Sequence, residues 1–191
     1  GEGLKGHSFG NLFITALSKI TGDFDKAIKE SSKVLAIRGS VVPSTLEKVT
    51  LVAKRADGTQ TSGESTIPKV TGAVSPIKKV YLNPASVKAT PEALIAIKDA
   101  DAVVMGPGSL FTSILPNLLV DGIAKEISRS RAVKIYLCNV MTQHGETDDF
   151  TASGHVEALL GHTDNDLIDY VFVNTSKIPP RLLEKYKTED A

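Results

Sequence analysis

Residues 102–138 read AVVMGPGSLFTSILPNLLVDGIAKEISRSRAVKIYLC, and this stretch decides the fold class. Two short apolar runs, residues 102–105 and 133–138, have the length and β-branched content of buried strands. Between them, residues 110–129 show helical spacing, which we expect to be interrupted or kinked near Pro116. A strand, a helix and a second strand with short connections predict a parallel pair of strands and its crossover helix.

The same alternation continues toward the end of the sequence. Residues 151–161 predict a helix, residues 170–173 a third strand, and the residues after Pro180 a tail helix. Together these patterns predict an α/β fold: a Rossmann-like, three-layer parallel sheet with helices on both faces. We expect residues 1–191 to form a single domain of this kind.

The first third of the sequence predicts helices, a short strand and a hairpin. Residues 10–21 predict an amphipathic helix with Ser8 as its N-cap, and residues 23–32 predict a second helix. The apolar run 34–37 is short enough to be a buried strand.

Residues 46–55 and 59–67 flank an Asp57-Gly58 turn, which predicts an antiparallel β-hairpin as an insertion or a sheet edge. Residues 79–82 predict a further strand, and Thr90 with the proline after it predicts a helix start.

Composition excludes several classes of protein. The 191 residues are 41% hydrophobic and 23% charged, which is typical of globular domains. Twenty-two basic residues balance 22 acidic ones, so we expect no nucleic-acid partner. No apolar run approaches the roughly 20 residues needed to span a bilayer, so we expect no membrane insertion. Cys138 is the single cysteine, which excludes a disulfide framework and favours a reducing, cytoplasmic location. Because Cys138 lies in a predicted apolar strand, we expect its thiol to be an inert part of the core.

The loop after the first parallel strand is the main candidate for a binding site, because ligands of open parallel sheets lie at the carboxyl ends of strands. Gly106 and Gly108 would let the backbone approach a phosphate, and the helix start at Leu110 would offer N–H groups. Hydroxyl donors would come from Ser109, Thr112 and Ser113. The alternative is a tight strand-to-helix turn with a hydroxyl cap. Phe111 occupies the third glycine position, so the dinucleotide fingerprint does not apply.

Two further groups near the start of the chain are candidates for the same chemistry. His7, Ser8 and Asn11 lie in a small-residue loop that opens a helix, and could border an anion or sugar pocket. Helix capping is the alternative for this loop. Arg38 follows the predicted strand 34–37 and could brace a diphosphate, or it could form a surface ion pair.

A long polar loop, residues 139–148, leaves the second parallel strand. Its polar side chains could hydrogen-bond a base or sugar ring, or could simply face solvent; they are Asn139, Thr142, Gln143 and Glu146. Asp148 or Asp149 could hold Mg²⁺ beside a diphosphate, although acidic residues at a helix start need no metal. The residues alone therefore establish no metal site.

Read together, these loops resemble one family. The segments that carry the resemblance are GHSFGNLF (6–13), IRG with VVPST (37–45), DGT with GESTI (57–67), MGPGSLFTSILPNLLVDGI (105–123), CNVMTQHGET (138–147) and HVEALLGH (155–162). They are similar to the gluconeogenesis factor or YvcK-type family of CofD-like, UPF0052 proteins. This family is related to the phospholactate transferases of coenzyme F420 biosynthesis.

The resemblance implies a CofD-type fold and a cytoplasmic bacterial protein with a nucleotide-diphosphate ligand. In the YvcK-type branch the expected ligand is a UDP-sugar such as UDP-N-acetylglucosamine, and the role is regulatory, in growth and cell shape on gluconeogenic carbon sources. In the transferase branch, a phospholactyl group moves from a nucleotide-activated donor with Mg²⁺. A protein of either branch could form a homo-oligomer. Family members begin with a strand and a glycine-rich loop, and we expect this sequence to lack that segment.

Overall fold

A computed structural model of the chain describes residues 9–35, 38–69, 72, 74–163 and 165–188. The chain divides into two compact units, residues 1–46 and residues 47–191. The α-helices are α1 (Phe9–Thr21), α2 (Phe24–Val34), α3 (Pro91–Lys98), α4 (Leu115–Leu118), α5 (Ile123–Arg129), α6 (Ala152–Leu160) and α7 (Pro180–Thr188). The strands are β1 (Thr50–Arg55), β2 (Gln60–Ser62), β3 (Ile77–Asn83), β4 (Ala102–Met105), β5 (Val133–Leu137) and β6 (Tyr170–Phe172).

The first unit contains the helices α1 and α2, both of which the sequence predicts. Helix α2 begins after Asp23, whose side chain accepts a hydrogen bond from the Lys26 amide at 2.8 Å. The predicted strand 34–37 is wrong at its first two residues, because Val34 ends α2 and Leu35 caps it, while residues 36 and 37 lie outside the described residues. Both side chains are more than half exposed. A four-residue apolar run cannot by itself distinguish a strand from the end of a helix.

The second unit contains an antiparallel sheet in which β1 lies between β2 and β3. The hairpin between β1 and β2 is confirmed: Gly58 has φ +88°, and the Asp57 carboxylate accepts hydrogen bonds from the Thr59 amide and hydroxyl. The strands are shorter than predicted, since β2 ends before Gly63, which has φ +98°. The two strands of the hairpin, together with β3, form a three-stranded antiparallel sheet.

The other sheet is parallel, with the strands in the order β4-β5-β6. Met105 pairs with Tyr136, so the carboxyl ends of β4 and β5 lie side by side. Helix α3 begins as predicted, with the Thr90 side chain accepting from the Ala93 amide. The predicted α/β class, with a parallel sheet and an antiparallel element, is confirmed, whereas the division into a single domain stays a prediction.

The helical segment after β4 is broken at a different place from the predicted one. It starts with a π-helical turn, Leu110–Ile114, which runs directly into α4. Pro116 lies in the first turn of α4, where the missing N–H costs little. The break falls instead between Leu118, where α4 ends, and Ile123, where α5 begins. Gly122, the N-cap of α5, has φ +104°, a backbone conformation that glycine adopts without strain.

The core of the second unit is built around Phe111 and Tyr136, both almost completely buried. The Phe111 ring lies edge to face against Phe150, with centroids 6.1 Å apart, and against the His162 ring at 6.0 Å. Cys138 is a free, buried thiol, as the sequence predicts, and burial raises its pKa; its inert role stays a prediction. None of the described helices is long and apolar enough to cross a bilayer.

Candidate functional site

The turn that follows β4 contains two glycines, and the structure around each of them restricts a side chain there in a different way. Gly106 has φ +103°, and a Cβ atom there would lie 2.8 Å from the Leu137 carbonyl oxygen. A Cβ atom on Gly108 would lie 3.3 Å from the Ser113 Cβ atom. Close packing of the turn against β5 thus accounts for Gly106, and the approach of a phosphate to either glycine stays a prediction.

Replacing Gly106 by alanine is expected to lower the free energy of unfolding by about 1–3 kcal/mol, the usual cost of a strained backbone position. The new Cβ atom would also press against the backbone of β5. Urea unfolding measures the change, with Gly108→Ala as the matched control, because Gly108 has no positive φ. Equal stabilities of the two variants would contradict this account of the turn.

The structure brings the two predicted loops together. The Ser109 hydroxyl donates a hydrogen bond to the Gln143 side-chain oxygen at 2.6 Å. The Gly108 amide donates to the Asn139 side-chain oxygen at 3.3 Å. All four residues are partly exposed. Because β4 and β5 are parallel neighbours, loops some 30 residues apart in sequence meet at one edge of the sheet.

Behind this surface lies a buried pair. The Thr112 hydroxyl donates to one oxygen of the Glu146 carboxyl group at 2.8 Å, and the two residues are 6% and 2% exposed. Burial raises the pKa of Glu146, while the Thr112 hydroxyl and the N–H groups of Phe111 and Thr112 act in the opposite direction. The predicted phosphate contact of Thr112 stays a prediction, and it would require this bond to break. Glu146 faces inward, away from the solvent where a base or sugar ring would bind.

Glu146→Gln is expected to gain stability relative to the original protein as the pH rises from about 4 to about 8. A carboxyl group whose pKa is raised by folding holds its proton more tightly in the folded state. Its contribution is therefore present at low pH and is lost as the pH rises through the folded-state pKa. Glutamine does not titrate, and its oxygen can still accept from Thr112.

The difference in urea midpoint between the two proteins, followed across this pH range, tests the sign. A difference in urea midpoint that is the same at every pH does not bear on the test, because only the change of this difference with pH reports titration of Glu146. A difference that stays flat would show that the carboxyl group titrates alike in the folded and unfolded chains.

The acidic end of the second loop has partners within the protein. One oxygen of the Asp148 carboxylate lies 2.9 Å from Nδ1 of His144, and the other accepts from the Gly145 amide at 2.7 Å. Asp149 adopts φ +58°. In the part of the chain that the structure describes, no three His, Cys, Asp or Glu side chains are grouped so as to hold a metal ion. The interpretation of Asp148 or Asp149 as a Mg²⁺ ligand therefore gains no support from this geometry.

The remaining candidates fall into three groups. His7 and Ser8 lie outside the described residues, while Asn11 and Arg38 belong to the first unit, residues 1–46. Within the second unit, Leu110 is buried, Thr142 is partly exposed and Ser113 is exposed. The candidate site of the second unit therefore consists of the turn 106–109 and the loop 139–143.

Arg55 contacts the second loop, although no sequence pattern points to it. Its guanidinium donates a hydrogen bond to the Gly145 carbonyl oxygen at 3.0 Å, and the residue is only 4% exposed. A basic residue at the end of a strand is ordinarily solvated, and its partner lies 90 positions away. Neither composition nor local spacing contains a signal for this contact.

Comparison with known proteins places the chain in a family. The family model for 2-phospho-L-lactate transferase CofD matches residues 1–191. The gluconeogenesis factors of Halalkalibacterium halodurans and of Bacillus subtilis (strain 168) are each 48% identical over 191 residues. The match covers all of this chain but only 58% and 59% of those proteins, so the chain spans little more than half their length.

Solved structures agree with this assignment. A crystal structure of a UPF0052-family protein from Bacillus halodurans superimposes with a TM-score of 0.89 at 48% identity, over 98% of this chain and 60% of that one. A second X-ray structure of a Bacillus halodurans protein gives a TM-score of 0.91 at 47% identity, over 100% and 60% of the respective chains. The resemblance inferred from the sequence motifs is confirmed, and the chain belongs to the CofD family.

Proposed function

We propose that this chain is the nucleotide-sugar binding part of a cytoplasmic regulatory protein, a gluconeogenesis factor that supports growth and cell shape on gluconeogenic carbon sources. The proposed ligand is a UDP-sugar such as UDP-N-acetylglucosamine. The observation that carries the proposal is the meeting of the turn 106–109 with the loop 139–143 through two hydrogen bonds at the carboxyl edge of the parallel sheet.

The chemistry of these side chains suits a diphosphate attached to a sugar. The Gly108 amide and the Ser109 hydroxyl are hydrogen-bond donors, and each would exchange its present acceptor, the Asn139 or Gln143 side-chain oxygen, for a phosphate oxygen. Asn139 and Gln143 carry amide groups with both donors and acceptors, which can bind phosphate oxygens as well as sugar hydroxyls. With 22 basic and 22 acidic residues in the sequence, such local donors rather than an overall positive field would hold the anion.

Isothermal titration of the chain with UDP-N-acetylglucosamine tests the proposal, with uridine monophosphate as the control ligand. We expect saturable binding of the nucleotide sugar and weaker binding of the monophosphate, which lacks the second phosphate and the sugar. An absence of heat at millimolar nucleotide sugar would contradict the proposal.

The second candidate function is group transfer. It is favoured by the match of residues 1–191 to the family model of a 2-phospho-L-lactate transferase. In that case a phospholactyl group would pass from a guanylylated donor to a flavin-like acceptor with Mg²⁺. Release of nucleotide that requires both Mg²⁺ and the acceptor would support transfer over regulation. Binding of the UDP-sugar without any turnover would support regulation.

A further inference from the structure

We propose that Arg55, on the antiparallel sheet, is a positioning residue for the ligand loop 139–148. This inference rests on the proposed function, because it assigns Arg55 the task of holding Gln143 where a nucleotide sugar would bind. Arg55 itself is buried and does not contact the ligand in this account.

The Arg55 guanidinium joins three separate segments of the second unit. Nη1 donates to the Ser75 carbonyl at 2.9 Å, and Nη2 donates to the Ile67 carbonyl at 3.1 Å and the Gly145 carbonyl at 3.0 Å. Across the described ranges, Arg55 takes part in no ion pair. A buried charge needs dense hydrogen bonding, and the planar fork of arginine suits several acceptors at fixed angles.

The contact at Gly145 is transmitted to Gln143 because the intervening turn is closed by its own hydrogen bonds. The Gln143 carbonyl accepts from the amides of Glu146 and Thr147, at 3.1 and 2.9 Å. The Gln143 amide in turn donates to the Thr147 hydroxyl at 2.9 Å. Residues 143–147 therefore move as a unit, and an anchor at Gly145 fixes the direction of the Gln143 side chain toward Ser109.

Glu146, the residue after Gly145, is hydrogen-bonded to a different segment of the chain. Glu146 accepts a hydrogen bond from Thr112, so adjacent residues of the loop are tied to β1 on one side and to the π-helical turn on the other. Loss of the Arg55 contact would leave the turn 143–147 attached to other segments through the Thr112–Glu146 and Ser109–Gln143 hydrogen bonds. A turn held at two points is expected to sample more orientations than a turn held at three.

The hairpin has stabilising contacts that do not use the guanidinium. Strand β1 pairs with β3 over residues 50–55 and with β2 over residues 52–54, and the Arg55 backbone amide donates to the Thr59 carbonyl at 2.9 Å. The backbone of the antiparallel sheet should therefore keep its protection when only the side chain changes. This separates a positioning role from a general structural role.

The test compares Arg55→Met and Arg55→Lys with Lys54→Met, an exposed position in the same strand. Hydrogen exchange of the backbone amides is the first readout. For both Arg55 variants we expect exchange in residues 143–148 to become about tenfold faster, while exchange in the β1–β3 pairing changes little. Lysine keeps the charge but not the fork, so retained protection in Arg55→Lys would overturn the inference, as would equal loosening of the whole sheet.

Affinity for UDP-N-acetylglucosamine is the second readout. We expect about tenfold weaker binding in the two Arg55 variants, unchanged binding in Lys54→Met, and recovery of an Arg55→Ala variant when methylguanidinium is added. Normal affinity in the Arg55 variants would overturn the inference. If the original chain does not bind this nucleotide sugar, the proposed function fails, and hydrogen exchange alone then decides the role of Arg55.

Discussion

Gln143→Glu is expected to weaken the binding of UDP-N-acetylglucosamine by about 100-fold, or about 2.7 kcal/mol. The new carboxylate can still accept the hydrogen bond from Ser109, so the two loops should stay joined. It would, however, place a negative charge where we expect a phosphate to bind. Two like charges about 4 Å apart at a protein surface repel by about 1–4 kcal/mol, which brackets the expected loss.

The matched control for this variant is Val140→Glu, which adds the same charge to the same loop. Val140 belongs to the loop 139–143 but is 59% exposed, and its apolar side chain is not one of the polar candidates, Asn139, Thr142 and Gln143. We expect a change in affinity below about threefold, because solvent screens the charge of a largely exposed side chain. Equal losses in the two variants would mean that Gln143 has no special place in binding.

Phe111→Ala is expected to lower the free energy of unfolding by about 3–5 kcal/mol, the cost of truncating a fully buried phenylalanine. The ring is 1% exposed and packs edge to face against Phe150 and His162. For a unit of this size, such a loss corresponds to a melting temperature lower by about 6–20 °C. Differential scanning calorimetry measures the shift.

Phe172→Ala serves as the comparison for Phe111→Ala, because it removes the same ring from an exposed position. Phe172 is 59% exposed on β6, an edge strand. Its truncation should cost below about 1 kcal/mol, since little apolar surface is returned to water. A similar cost at both positions would contradict the assignment of Phe111 to the core.

Much of the fold follows from local patterns in the sequence. The apolar runs 102–105 and 133–138 are short and bounded by turn residues, so they indicate parallel strands before any contact is known. The Asp57-Gly58 pair fixes a hairpin through backbone geometry alone. The break at Gly122 was missed because proline usually signals interruption more strongly than a glycine that must adopt positive φ.

The meeting of the two loops could also be predicted, because loops that follow neighbouring parallel strands share one edge of the sheet. The individual hydrogen-bond partners across the two loops could not be predicted. Which hydroxyl pairs with Gln143 and which with Glu146 depends on side-chain directions fixed by the π-helical turn, and helical periodicity does not reveal such a turn. Arg55 was missed because its acceptor at Gly145 comes from a distant segment.

The most direct test of the central claim is the amide spectrum of the ¹⁵N-labelled chain during titration with UDP-N-acetylglucosamine. We expect the largest shifts at Gly108, at Ser109 and in residues 139–143, and we expect Gln143→Glu to abolish them at the same ligand concentration. Saturable binding whose largest shifts lie elsewhere, with the amides of Gly108 and Ser109 unchanged, would contradict the central claim.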